Sequence, residues 1–85
     1  MRALTSTPSA WTQYEYWEKT DKKILKRINI LIENTLENPF LGIGKPEPLK
    51  GSLNGFWSRR ITGEHRLVYQ VFDKEVRIIQ CRYHY

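Results

Sequence analysis

A carboxylate, a set of guanidinium groups and an imidazole stand in the second half of this 85-residue chain, and together they could carry acid–base chemistry at a phosphate. Glu47 lies between Pro46 and Pro48, Arg66 opens a run of β-forming residues, and His84 with Tyr85 closes the chain. Lys50 and the pair Arg59-Arg60 add cations. Cleaving RNA without a metal needs a base for the 2′-hydroxyl proton, a cation for the charge developing on the phosphate, and an acid for the departing 5′-oxygen. Glu47, the strand arginines and His84 can fill those roles, and composition alone makes this one option among several.

Each residue also has an ordinary explanation. A glutamate in a proline-rich loop is commonly a solvated surface charge. A histidine next to a chain end is commonly disordered or partner-binding. Arg66 can lay its stem over apolar surface, and Arg59-Arg60 can be a solvated pair. Being adjacent on a strand, those two point to opposite faces, so at most one joins Arg66 on a given face. Trp11 and Trp17, at helical spacing, read as core in preference to base-stacking platforms.

Other chemistries lack their motifs. There is no glycine-rich phosphate loop in a strand-to-helix context, no CxxC and no serine flanked as a nucleophile. Two histidines, His65 and His84, with the lone Cys81 do not make a zinc site. A single cysteine cannot form an internal disulfide, so packing must hold the chain, and cytoplasm is the simplest compartment. No stretch approaches the roughly 18 apolar residues of a membrane span. The net charge of +5 favours a polyanionic partner. The excess is uneven: residues 1–42 carry six basic and five acidic side chains, residues 43–85 eight and four.

The elements that must position these groups follow from pattern. Thr7-Pro8 reads as a cap and first helical residue for a helix over about residues 8–19. Thr20 reads as the cap of a second helix, with Asp21 favourable at its positive end and Ile24, Leu25, Ile28, Leu31, Ile32 and Leu36 as its apolar stripe. Asn38-Pro39 ends it, and Gly42, Gly44, Pro46 and Pro48 make the next segment a loop of restricted shape. Period-two runs over Phe56–Ile61, Arg66–Phe72 and Val76–Tyr83, joined at Thr62-Gly63 and Asp73-Lys74, predict an antiparallel meander. Residues 2–6 are a candidate edge strand. Neither layer can bury its apolar side alone, so the helices must cover one face of the sheet and leave the other for function. The chain is long enough for one domain, residues 1–85, and one modest core.

Four ordered blocks then narrow the chemistry: Lys45-Pro46-Glu47-Pro48-Leu49-Lys50, Gly55-Phe56-Trp57-Ser58-Arg59-Arg60-Ile61, Glu64-His65-Arg66-Leu67-Val68-Tyr69 and Cys81-Arg82-Tyr83-His84-Tyr85. They closely resemble the YoeB toxins of the RelE superfamily. The similarity continues through Tyr14, Tyr16-Trp17, Thr20-Asp21-Lys22, Ile28-Asn29 and Pro39-Phe40, so it covers nearly the whole chain. The resemblance implies an α+β, RelE-like microbial ribonuclease fold, with two N-terminal helices packed on one face of a small antiparallel sheet. It also implies the toxin of a type II toxin–antitoxin system, a ribosome-dependent, metal-independent endoribonuclease that cuts mRNA in the ribosomal A site by 2′-hydroxyl attack and so inhibits translation.

In that family the base falls on Glu47, the central-strand arginine on Arg66 and the terminal histidine on His84, with Lys50, Arg60 and Tyr85 at substrate-binding positions. No metal or organic cofactor is implied. The implied partners are a cognate antitoxin whose acidic, largely disordered segment folds over the basic surface, the ribosome with its mRNA, and operator DNA reached indirectly through the antitoxin; a homodimer is a further expectation, and the setting is bacterial cytoplasm without a membrane. The alternative is an inactive relative that acts only as an antitoxin-binding, DNA-bound co-repressor. A decayed relative should have lost at least one of Glu47, Arg66 and His84.

Overall fold

The structure, a computed structural model, describes residues 1–84. Pro8–Thr20 forms α1 and Lys22–Glu37 forms α2. Thr7 caps α1 by accepting the Ala10 N–H at 3.1 Å, and Pro8 at the first turn has no N–H to leave unpaired. The expected cap of α2 needs correction by one residue. Thr20 closes α1, its hydroxyl donating to the Tyr16 carbonyl at 2.6 Å, and Asp21 is the cap. Its backbone N–H donates to the Trp17 carbonyl at 3.0 Å, while its carboxylate accepts from the N–H groups of Lys23 and Ile24 at 3.1 and 3.2 Å. A carboxylate suits the positive end of a helix better than a hydroxyl does, so Asp21 ends one helix and starts the next.

Five strands follow the order β1-β5-β4-β3-β2: β1 Ala3–Ser6, β2 Glu47–Pro48, β3 Phe56–Arg60, β4 Arg66–Val71 and β5 Glu75–Gln80. Strands β3 to β5 pair antiparallel, as the meander predicts, and the two-residue β2, inside the segment expected to be an irregular loop, also pairs antiparallel with β3. The candidate edge strand forms, and it docks parallel on β5, with Leu4 opposite Val76 and Ser6 opposite Ile78, which makes the sheet mixed. The Thr5 hydroxyl donates to the Glu75 carboxylate and ties this edge down.

The core lies between the helices and one sheet face. Ala10 and Trp17 of α1 and Ile28 and Leu31 of α2 meet Leu67, Tyr69, Val76 and Ile78 of the sheet. Trp11 does not join them, contrary to expectation: it is 53% exposed and stacks on Tyr14 at 5.6 Å. Six residues along a helix rotate a side chain about 120° away from its starting direction, so Trp11 and Trp17 cannot both face the sheet. Ala10 and Trp17, seven apart, can. Strand β5 also ends sooner than its pattern suggests, at Gln80 and not Tyr83. Beyond it the Cys81 backbone is bonded by α1, its N–H donating to Gln13 Oε1 at 2.8 Å and its carbonyl accepting from Trp17 Nε1 at 2.9 Å. Among the described residues no helix is long and apolar enough to cross a membrane.

Asp21→Ala should destabilise the fold by about 1 kcal/mol, because two helix N–H groups lose their acceptor. Thr20→Ala should be close to neutral. Urea midpoints of the two variants check this, and the reverse ranking would return the cap to Thr20.

Candidate active site

The register of β2, β3 and β4 decides which side chains share a face. Trp57 pairs with Tyr69 and Arg59 with Leu67, and these point toward the helices. Glu47 pairs with Ser58, Ser58 with Val68, and Arg60 with Arg66, so this second set points the other way. Of the two adjacent arginines it is Arg60 that joins Arg66, directly across the strand pair. Like charges in that position repel, and folding alone gives no reason to place them together.

On this side Gly44, Lys45, Glu47, Ser58, Arg60 and Arg66 line a recess of about 260 Å³. Three cations and one carboxylate surround it, which makes it attractive to a phosphate. Arg66 is braced against its own hairpin, Nη1 donating to the carbonyls of Thr62 at 2.6 Å and His65 at 3.1 Å. The recess therefore brings together Glu47, Arg60 and Arg66 of the residues singled out from sequence, and adds Lys45 and Ser58. Lys50 is exposed and lies outside this lining, at the start of the short helical turn Gly51–Leu53.

His84 reaches the neighbourhood by another route. Tyr83 has φ +72°, a left-handed conformation that turns the chain, and its carbonyl accepts the Arg66 N–H at 3.0 Å. His84 is the next residue, so its backbone begins one peptide bond from that contact, beside Arg66. Tyr85 lies outside the described residues. Among the described residues no cluster of three or more histidine, cysteine or acidic side chains could hold a metal.

Glu47 is placed by its pairing with β3 and by the loop before it, and what holds the loop is Arg59. The expectation of a solvated Arg59-Arg60 pair fails for Arg59, which is 0% exposed. Its guanidinium donates from Nη2 to the carbonyls of Asn38 at 2.6 Å and Leu41 at 3.2 Å, and from Nη1 to the Ile43 carbonyl at 3.1 Å and the Asn34 side chain. Its Nε donates to the Tyr69 hydroxyl at 3.1 Å, which donates onward to the Pro39 carbonyl at 2.7 Å. Five N–H donors thus meet five oxygens, four of them around the loop. Burial raises the Tyr69 pKa, partly opposed by Arg59, so the phenol stays a neutral donor.

Gly44 completes the approach: φ is +79°, its carbonyl accepts the Arg60 N–H at 2.7 Å, and a Cβ there would stand 2.8 Å from Leu31 Cδ2. Only glycine lets the backbone come this close.

The whole chain can be set beside known proteins. A family model described as the YoeB-like toxin of bacterial type II toxin–antitoxin systems matches residues 6–85. Toxin YoeB of Escherichia coli K12 is 62% identical over 82 residues, covering 96% of this chain and 98% of that one. The chain belongs to the YoeB-like toxin family. Two solved Staphylococcus aureus structures carry the same fold. A YoeB dimer is 47% identical with a TM-score of 0.91, over 99% of this chain and 98% of that one. A YoeB–YefM complex is 45% identical with a TM-score of 0.90, over 100% and 99%.

As a YoeB-like chain, this protein is a toxin of a type II toxin–antitoxin system. Sequence reasoning missed two residues around its recess. Arg59 had a signal, since it shares the parity of Trp57 and Ile61, but its charge argued against burial. His65 had none: its Nδ1 accepts the Tyr83 N–H at 2.8 Å, a contact across 18 residues. Cys81 is no candidate nucleophile, because burial pushes its thiol up to about 12 and keeps it protonated.

Arg59→Met should cost about 3 kcal/mol or more, since it leaves buried carbonyls of the loop without donors. Arg60→Met, at an exposed position facing another arginine, should stay within about 0.5 kcal/mol of the parent. Urea unfolding of both variants measures the difference, and equal stability would remove Arg59 from this role.

Proposed function

We propose that this toxin is a ribosome-dependent, metal-independent endoribonuclease that cuts mRNA in the ribosomal A site and so stops translation. The supporting observation is the recess in which Arg60 and Arg66 face each other across the strands and, with Lys45, set three cations around the one carboxylate of Glu47, an excess of positive charge that suits a phosphate. A scissile phosphate in the recess would meet Arg66, Arg60 and Lys45. Glu47 then takes the 2′-hydroxyl proton, and the oxygen attacks the adjacent phosphorus. The bond from phosphorus to the 5′-oxygen breaks, Arg66 stabilises the added negative charge, and His84 gives the leaving oxygen its proton. The products are a 2′,3′-cyclic phosphate, which water can open to a 3′-phosphate, and a 5′-hydroxyl. Lys50 and Tyr85 contact the message to either side. All three reacting groups are present, which a decayed, binding-only co-repressor has no reason to keep.

Proton transfer to a positioned base supplies only part of such a rate. Position supplies the remainder: the two prolines beside it and the Arg59-held loop before it limit where the carboxylate can go. The regulatory partner is an acidic antitoxin segment that covers the basic face and competes with the ribosome, in line with the YefM complex of the S. aureus relative. Operator DNA is reached through that antitoxin. Self-association into a homodimer follows the S. aureus dimer in the same way.

Glu47→Gln keeps the side-chain shape and removes the base. On programmed ribosomes it should lower the single-turnover cleavage rate by about 10²–10⁴, with ribosome affinity little changed. Arg66→Lys keeps the charge but loses the planar fork that matches phosphate oxygens, and it too should lose rate more than affinity. Undiminished cleavage by Glu47→Gln would show that another group is the base.

A further inference from the structure

The tail after β5 has to deliver His84 without a strand to guide it. Two of its contacts bracket one residue. The Tyr83 N–H donates to His65 Nδ1 at 2.8 Å, and the Tyr83 carbonyl accepts the Arg66 N–H at 3.0 Å. Both backbone polar groups of Tyr83 are therefore taken by consecutive residues of the β3–β4 hairpin and its strand. This bracket sits at the residue with φ +72°, a conformation that a tyrosine adopts only when its surroundings impose it.

We propose that His65 is a positioning residue for the reaction: by accepting the Tyr83 N–H it holds the turn that places His84 beside Arg66. The proposal rests on the reading of His84 as the acid. His65 is well fixed for such a task. Its backbone N–H donates to Thr62 Oγ1 at 3.1 Å, and its carbonyl accepts from Ile61 and Thr62 at 3.0 and 3.2 Å. Its ring stands edge-on to the buried Trp17 at 4.8 Å, and the same indole donates to the Cys81 carbonyl. Hairpin, helix and tail thus converge on one imidazole. Nδ1 can accept only in the neutral ring with its proton on Nε2, so His65 acts as a fixed acceptor. Its ring lies outside the recess lining and accepts from the tail, which gives the ring a route to His84.

His65→Asn keeps an acceptor at the position of Nδ1, because Oδ1 is also two bonds from Cβ; His65→Ala removes it. In the free, full-length protein, amide hydrogen exchange at Tyr83 should speed up by about tenfold or more in His65→Ala, with Tyr69 in the core strand unchanged. His65→Asn should restore most of the protection. On programmed ribosomes His65→Ala should lose about 10²-fold in single-turnover rate, the scale expected for a misplaced group, and His65→Asn should recover most of it. A message with sulfur in place of the 5′-bridging oxygen at the cut site has a leaving group that departs without protonation. On that message the His65→Ala defect should shrink to a few-fold.

Unchanged Tyr83 exchange in His65→Ala, equal defects in the alanine and asparagine variants, or a defect of the same size on both messages would each overturn the proposal. If the parent protein cuts neither message, the nuclease reading fails, and exchange at Tyr83 alone decides whether His65 holds the tail.

Discussion

A buried arginine whose bonded partners, among the described residues, include no carboxylate is the constraint on which the site depends. Arg59 is fully enclosed, and its charge is met by the oxygens of Asn34, Asn38, Leu41, Ile43 and Tyr69. Enclosing a guanidinium is costly unless its donors are satisfied, so the loop between α2 and β2 must wrap around it in one shape. That shape delivers Gly44, Lys45 and Glu47 to the edge of β3. A single strand thereby carries both halves of the problem: Arg59 points inward and shapes the loop, while its neighbour Arg60 points outward into the recess.

The same division runs through the tail. Trp17 and Gln13 of α1 take the Cys81 backbone, and His65 and Arg66 take that of Tyr83, so that the His84 backbone begins beside Arg66. The loop comes from the middle of the chain and the tail from beyond β5, and each is held by contacts outside the regular ladder of strands. Their placement depends on side chains that reach from the core, which is how a chain of 85 residues can hold candidate groups on an open surface.

Much of this was legible in the sequence because helices and strands announce themselves by period. The stripe of α2 and the alternation of β3 and β4 predicted both layers, and parity alone separated Arg59 from Arg60. Register is harder to read. Trp11 and Trp17 look like a pair on paper, yet helical rotation separates them. Cys81 and Tyr83 continue the apolar pattern of β5, yet α1 takes the Cys81 hydrogen bonds. Arg59 could not be recognised as buried, since most of the oxygens that make burial tolerable are backbone carbonyls of an irregular loop. His65 could not be paired with Tyr83, since nothing in local composition marks a contact across 18 residues. Glu47, the strand arginines and His84 stand out in the sequence as groups able to do this chemistry, and the resemblance narrows the arginine to Arg66 and gives the three their proposed roles.

Those roles converge on one event, attack by the message's own 2′-hydroxyl inside the ribosome. Mapping the ends of a defined mRNA cut by the purified toxin, with and without ribosomes, measures that event directly. Attack by the 2′-hydroxyl requires a 5′-hydroxyl on the downstream fragment and a 2′,3′-cyclic or 3′-phosphate on the upstream one, with cleavage dependent on ribosomes. A 5′-phosphate, or equal cutting of naked message, would contradict it.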